Sequence, residues 1–236
     1  PTAAADGEAY DGCAMRWPWY AAGDAAAMAL HAIAPLLKPD AELWVFGNAD
    51  EGADGCEAAL ATLFDDCTLV RSRDGALVYR ARRRTTAAAK KAAARAALHD
   101  WRETAALRFP AVTFHAATEV SAWVRYPGLF AGGGLDVMTA ALCRALPAPP
   151  PRARVLDFAS GSGALAAALL ARAPTLRVHL LDADAVAIAA ARENVPTAAR
   201  CFVCAGWPPL TSFKKRKPKR YDLIVSNPPV HAGQPD

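Results

Sequence analysis

From Arg154 onward the sequence alternates short apolar runs with Ala-rich ones, and the first junction reads Asp157-Phe158-Ala159-Ser160-Gly161-Ser162-Gly163. No other stretch restricts the fold as tightly. Residues 154–158 read as a buried strand, 163–173 as a helix, 177–181 as a second strand and 185–194 as a second helix. Two further strands follow at 201–204 and 221–225. Strands alternating with helices predict an α/β protein whose sheet is doubly wound and mostly parallel, a Rossmann-like arrangement. Such a sheet binds its ligand at the carboxyl ends of the strands.

The junction itself narrows the ligand. Gly161 and Gly163 lack a Cβ, so the backbone can turn tightly and approach a ligand at the helix N-terminus. Asp182, followed by Ala183, closes the second strand, where a carboxylate accepts hydrogen bonds from two ribose hydroxyls. Charge-assisted bonds of that kind contribute about 1.5–3 kcal/mol each. Together these features describe a ribonucleoside cofactor. They leave two classes open, because Gly161 to Ala166 also satisfies the GxGxxA dinucleotide fingerprint.

Asp157 and the residues after the fourth strand favour S-adenosylmethionine. Asp157 would face the cationic methionine end of that cofactor, whereas a pyrophosphate would repel it. Ser226-Asn227-Pro228-Pro229 has no role in hydride transfer, but it suits methyl transfer to a planar nitrogen. An exocyclic amine on a base is a poor nucleophile, because its lone pair is delocalised into the ring. If the Asn227 side-chain oxygen and the Pro228 carbonyl accept its two N–H bonds, the lone pair is aimed at the methyl group for in-line displacement, and no metal is needed. Pro228 and Pro229 fix φ and stiffen the loop. Taken alone, Asn-Pro-Pro is as readily a plain turn.

Hydrophobic residues make up 53% and charged residues 21% of the 236, which suits a chain that buries a core. No apolar run reaches the ~20 residues of a membrane-spanning helix, and no basic-then-apolar leader opens the sequence. The expectation is an intracellular protein without a membrane partner. It would be cytoplasmic, with nucleus or mitochondrion left open, and its oligomeric state is not legible. Six scattered cysteines show no disulfide or zinc spacing, and Cys201-Phe202-Val203-Cys204 reads as buried thiols on a strand. The net charge of +4 is concentrated at 80–95 and in Lys214-Lys215-Arg216-Lys217-Pro218-Lys219-Arg220. Such runs are solvated surface, a nuclear-import-like run, or contacts to nucleic acid.

The first half reads as a smaller α/β domain. Residues 23–37 form a helix stopped by Pro39-Asp40, 42–46 a strand and 55–64 a helix. Strands at 67–70 and 76–79 flank the Arg73-Asp74-Gly75 turn. Residues 85–101 are low-complexity and helix-forming, and mark the boundary. Strands at 111–114 and 120–124, the loop 127–134 and a helix at 136–146 lead into the second domain. The resulting division is 1–84, a helical linker 85–105, and 106–236.

Asp157 to Gly163, Asp182 and Asn227-Pro228-Pro229-Val230-His231-Ala232-Gly233 resemble the methyltransferase small-domain family, and within it the bacterial small-subunit ribosomal RNA guanine-N2 methyltransferases. Pro127-Gly128-Leu129-Phe130 and Leu135-Asp136 are similar to the segment that those enzymes place before the cofactor domain. Trp17-Pro18-Trp19, Leu43 to Gly47 and the hairpin near Tyr79 are similar to their N-terminal domain, a methyltransferase-like fold without a cofactor site. The resemblance implies a degenerate methyltransferase-like domain at 1–84 and an S-adenosylmethionine-binding methyltransferase domain at 106–236, both partial. The sheet would be C-terminally incomplete, since the family continues through three more strands. The implied activity is methylation of a guanine N2 amine, most readily in ribosomal RNA. Asp157, Ala159, Gly161, Gly163, Asp182 and Ala183 would hold the cofactor, and Asn227, Pro228 and Pro229 would carry the chemistry. Val230 and His231 would touch the base, and Lys214, Lys215 and Arg216 the RNA phosphates. Ala159 stands where glycine is usual, and Val230 where an aromatic residue normally stacks on the base, a contact worth about 1–3 kcal/mol. A fold that has lost the reaction, serving as a ribosome-assembly factor, is therefore the alternative. Protein glutamine or DNA adenine methylation shares the Asn-Pro-Pro logic.

Overall fold

The structure is a computed structural model and describes residues 9–17, 24–83, 101–111, 118–198, 200–206 and 220–228. It divides into two units between Arg102 and Glu103.

The first unit is built on a four-stranded sheet ordered β1-β2-β4-β3, from β1 (Tyr10–Arg16), β2 (Leu37–Asn48), β3 (Phe64–Arg73) and β4 (Ala76–Arg83). β1 runs parallel to β2, and the other two pairings are antiparallel. The expected turn at Arg73-Asp74-Gly75 joins β3 to β4, with positive φ at both Asp74 (50°) and Gly75 (81°). Consecutive positive φ values match the right-handed twist of a hairpin, and Asp-Gly is the pair that tolerates them. Helices α1 (Asp24–Ile33) and α2 (Cys56–Leu60) bury Leu30, Cys56 and Leu60 in a core with Leu43, Val45 and Phe64.

Several sequence expectations need correction here. The helix predicted over 23–37 ends at Ile33, a 3-10 turn (Ala34–Leu36) follows, and the strand begins at Leu37. Pro39-Asp40 therefore lies inside β2 rather than ending a helix, with Asp40 at a φ of 61°. The helix expected over 55–64 is a single short turn, because Leu63 and Phe64 already turn into β3 and are buried there. β1 had no counterpart in the sequence reading.

The second unit contains a parallel sheet ordered β10-β7-β8-β9, from β7 (Arg154–Phe158), β8 (Arg177–Asp182), β9 (Arg200–Val203) and β10 (Leu223–Ser226). Between these strands run α4 (Ala164–Arg172) and α5 (Ala185–Asn194). Successive right-handed crossovers from β7 to β8 to β9 put both helices on one face of the sheet. α3 (Val137–Ala145) packs against α4. Most of the connection from β9 to β10, residues 207–219, lies outside the described residues, as do 84–100. Val155, Val178 and Leu180 are buried against the small apolar faces of α4 and α5, and Leu156, which points to the opposite face, is fully buried as well. That two-sided burial is why these strands read as continuous apolar runs.

A two-stranded antiparallel ribbon, β5 (Glu103–Phe109) with β6 (Thr118–Arg125), precedes α3. Residues 103–105, expected in a helical linker, are thus strand. The strand expected at 111–114 falls largely outside the described residues. Asn194 at the end of α5 ties β6 to the sheet: its Oδ1 accepts from the Val124 N–H at 2.7 Å, and its Nδ2 donates to the Val124 and Ser162 carbonyls at 3.0 and 3.1 Å. Cys201 and Cys204 are reduced thiols, half-buried rather than buried.

Candidate active site

β7 is the topological switch point. β8 and β9 lie to one side of it and β10 to the other, so the chain leaves β7 and β10 in a crevice at their carboxyl ends. Ser226 pairs with Phe158 in register, and its Oγ donates to the Phe158 carbonyl at 2.7 Å. Asn227 therefore emerges from the sheet beside the glycine turn, the juxtaposition that the sequence reading requires.

The turn is held from three directions. The Asp182 carboxylate accepts from the Gly161 N–H through Oδ2 (2.8 Å) and from the Asp184 N–H through Oδ1 (2.9 Å). The Ser160 N–H donates to the Leu181 carbonyl at 3.0 Å. On the other side, Ser162 Oγ and Trp123 Nε1 both donate to the Gly133 carbonyl at 2.8 Å, which fixes the 127–134 loop against the turn. Gly163 has a φ of 90°, and a Cβ there would meet Val195 Cγ2 at 2.8 Å, so both conformation and space require glycine. A Cβ on Gly161 would meet nothing within 4 Å, which leaves that side of the turn open.

Ala159 is left-handed, with a φ of 56°. The glycine expected at this position would answer a backbone demand rather than a demand for size, and Ala meets it at a cost of roughly 1–2 kcal/mol.

Asp157 is fully buried. One oxygen, Oδ2, accepts from the Ala166 N–H at 3.1 Å and so caps the first turn of α4. The other, Oδ1, has no hydrogen-bond partner among the described residues, and the same holds for the buried Oγ of Ser160. Burial pushes the Asp157 carboxyl up to about 7; the Ala166 hydrogen bond opposes this and the nearby Asp182 adds to it. Orphaned acceptors are uncommon in a protein interior. Two at one glycine turn, with Asp182 half-exposed and Ala183 exposed at its rim, fit a ligand carrying N–H and O–H donors and a positive charge.

Asn227 is half-buried. Its Nδ2 donates to Asp136 Oδ1 and Oδ2 at 3.0 and 3.2 Å and to Thr139 Oγ1 at 2.8 Å. Neither partner was singled out chemically by the sequence reading. Asp136 opens the helix expected at 136–146, but its partnership with a residue 91 positions further along leaves no local signal. Pro228 is exposed directly after Asn227. Pro229, Val230, His231, Lys214, Lys215 and Arg216 lie outside the described residues.

Residues 121–236 match the methyltransferase small domain family. The second unit is thus similar to that family. Among curated relatives, it is 42% identical over 111 residues to ribosomal RNA small subunit methyltransferase C of Ectopseudomonas mendocina, covering 47% of this chain and 32% of that protein. The corresponding protein of Escherichia coli O9:H4 is 36% identical over 107 residues, covering 45% of this chain and 30% of the relative. The chain thus spans about a third of the length of the curated relatives it matches. A solved structure, the Thermus thermophilus 16S rRNA N2 G1207 methyltransferase RsmC in complex with AdoMet and guanosine, shares the fold with a TM-score of 0.64. That match covers 95% of this chain and 57% of the other, at 22% sequence identity.

Proposed function

We propose that the protein is an S-adenosylmethionine-dependent RNA methyltransferase that transfers a methyl group to the exocyclic N2 amine of a guanine in ribosomal RNA. The observation that carries this reading is the emergence of Asn227 beside the Asp157 to Gly163 turn, across the switch point between β10 and β7. The curated relatives are ribosomal RNA methyltransferases, which supports the substrate class. A ribosomal substrate supports a cytoplasmic reaction.

The cofactor, when bound, supplies an electrophilic methyl on a positively charged sulfur. The Asp157 Oδ1 and Ser160 Oγ acceptors would bind its charged end, and Asp182 its ribose. Asp182 spends one lone pair of each oxygen on a backbone N–H and retains others for hydroxyl donors. Gly161 leaves room for close approach. Asn227 Oδ1 and the Pro228 carbonyl would accept the two N–H bonds of the target amine, turning its lone pair toward the methyl. The nitrogen would take the methyl group as the methyl's bond to sulfur breaks, the bonding pair staying on sulfur, and would then give up one proton to solvent. Val230 and His231 would contact the base, and Lys214, Lys215 and Arg216 the RNA phosphates.

The substitution of valine for the usual aromatic residue at position 230 favours a second reading, an assembly factor that binds RNA without turnover. Calorimetry with S-adenosylmethionine, followed by assay of methyl transfer to deproteinised ribosomal RNA, separates the two. The enzyme reading predicts both binding and transfer. Cofactor binding with no transfer supports the assembly factor, and absence of binding removes the enzyme reading.

A further inference from the structure

The carboxamide of Asn227 is gripped by its nitrogen end. Three acceptor oxygens, two on Asp136 and one on Thr139, lie 2.8–3.2 Å from Nδ2. A carboxylate only accepts hydrogen bonds, so the group facing Asp136 is the NH₂, and the two ends of the carboxamide are distinguished chemically. Asp136 is itself built in. It is the N-cap of α3, and its Oδ1 accepts from the Thr139 N–H at 2.8 Å. Burial pulls its pKa upward, but hydrogen bonds from Thr139, Asn227 and the Met138 N–H outweigh this and hold it below the usual carboxylate value. It is therefore ionised throughout the neutral range. Thr139, in the first turn of the same helix, is buried.

We infer that Asp136, assisted by Thr139, is a positioning residue for methyl transfer that locks Asn227 with its carbonyl oxygen toward the substrate. The inference rests on the proposed reading of Asn227. Both of its N–H bonds are committed to α3, so Asn227 offers the substrate an acceptor and no donor. A planar NH₂ group satisfies that acceptor, whereas a ring nitrogen presenting a lone pair would meet oxygen against lone pair and be rejected. The bound carboxylate also polarises the carboxamide and strengthens Oδ1 as an acceptor. With the carboxamide reversed, NH₂ would face NH₂, and the amine lone pair would lose its aim.

The test compares Asp136→Asn with Asn227→Ala, each alone and combined, in single-turnover methyl transfer to deproteinised ribosomal RNA. Asn is as good an N-cap as Asp, so α3 is retained, while the introduced carboxamide no longer dictates which end of Asn227 it faces. Asp136→Asn should lower kcat on the order of 10- to 100-fold. The KM for RNA, the Kd for S-adenosylmethionine and the Tm should stay at the wild-type values. On the Asn227→Ala background the same change should cost nothing further, because Asp136 acts through Asn227. Thr139→Val should lower kcat and Thr139→Ser restore it. Wild-type kcat in Asp136→Asn, a full additional loss in the double variant, or a defect confined to KM overturns the inference while leaving the function intact. Wild-type transfer in Asn227→Ala overturns both.

Discussion

Ser226 and Phe158 are register partners on adjacent parallel strands, and the Ser226 Oγ closes the gap between them with a 2.7 Å hydrogen bond to the Phe158 carbonyl. One residue beyond the end of each strand lie the parts of the proposed reaction: Asn227 after β10, and Ala159, the start of the glycine turn, after β7. Their proximity follows from pairing between strands far apart in the sequence. Ser226→Ala should therefore loosen the alignment without removing a group that touches either reactant. We expect kcat for methyl transfer to fall by about 10-fold, with S-adenosylmethionine affinity unchanged in calorimetry.

Asp157 should make cofactor binding sensitive to pH. Its carboxyl is pushed up to about 7 by burial in the free protein, and a cationic ligand favours the charged form. Binding then releases a proton below that value. Affinity for S-adenosylmethionine should rise as pH increases toward about 7 and level off above it. Isothermal titration in two buffers of different ionisation enthalpy would reveal the released proton. An uncharged isostere at this position, Asp157→Asn, should bind more weakly and with no such dependence.

The same shift sets a stability trend. The folded Asp157 carboxyl binds its proton more tightly than the unfolded one, whose pKa is near the ordinary 3.8. Folding is thus favoured by protonation, and its contribution to stability is full below the unfolded value. It declines as pH rises toward about 7, by up to about 1.4 kcal/mol per pH unit. Asp157→Asn should flatten that decline in urea denaturation curves measured between pH 5 and 7.

Ala159 carries avoidable backbone strain. Its φ of 56° is one that glycine adopts freely. Ala159→Gly should stabilise the second unit by about 1 kcal/mol, less the entropy that glycine loses on folding. Gly163→Ala should do the opposite. Its new Cβ would strike Val195 Cγ2 at 2.8 Å with φ at 90°, and a loss of about 1–3 kcal/mol is expected. Thermal melts of the two variants should move in opposite directions.

The second unit was largely legible because its physics is local. The strand over 154–158 and the helix over 185–194 have the bounds that their sequences predict, since buried parallel strands are uniformly apolar and both flanking helices are rich in alanine. β5 was missed because Glu103-Thr104-Ala105-Ala106-Leu107-Arg108-Phe109 is composed mainly of helix formers, and only its pairing with β6 makes it a strand. β1, with exposed Tyr10, Asp11 and Gly12, buries too little to show alternation. At the candidate site, the sequence singles out Asp157, Gly161, Gly163, Asp182 and Asn227 because each residue type answers a chemical need of the proposed reaction. It does not single out Asp136 and Thr139, because their role is defined by a partner on another element.

The central claim is tested most directly by locating the methyl group. The protein is incubated with methyl-labelled S-adenosylmethionine and deproteinised ribosomal RNA, and the RNA is then digested to nucleosides. The account predicts label in N2-methylguanosine, lost by about 100-fold or more in Asn227→Ala. Label in another nucleoside, or label in N2-methylguanosine that survives Asn227→Ala undiminished, would contradict it.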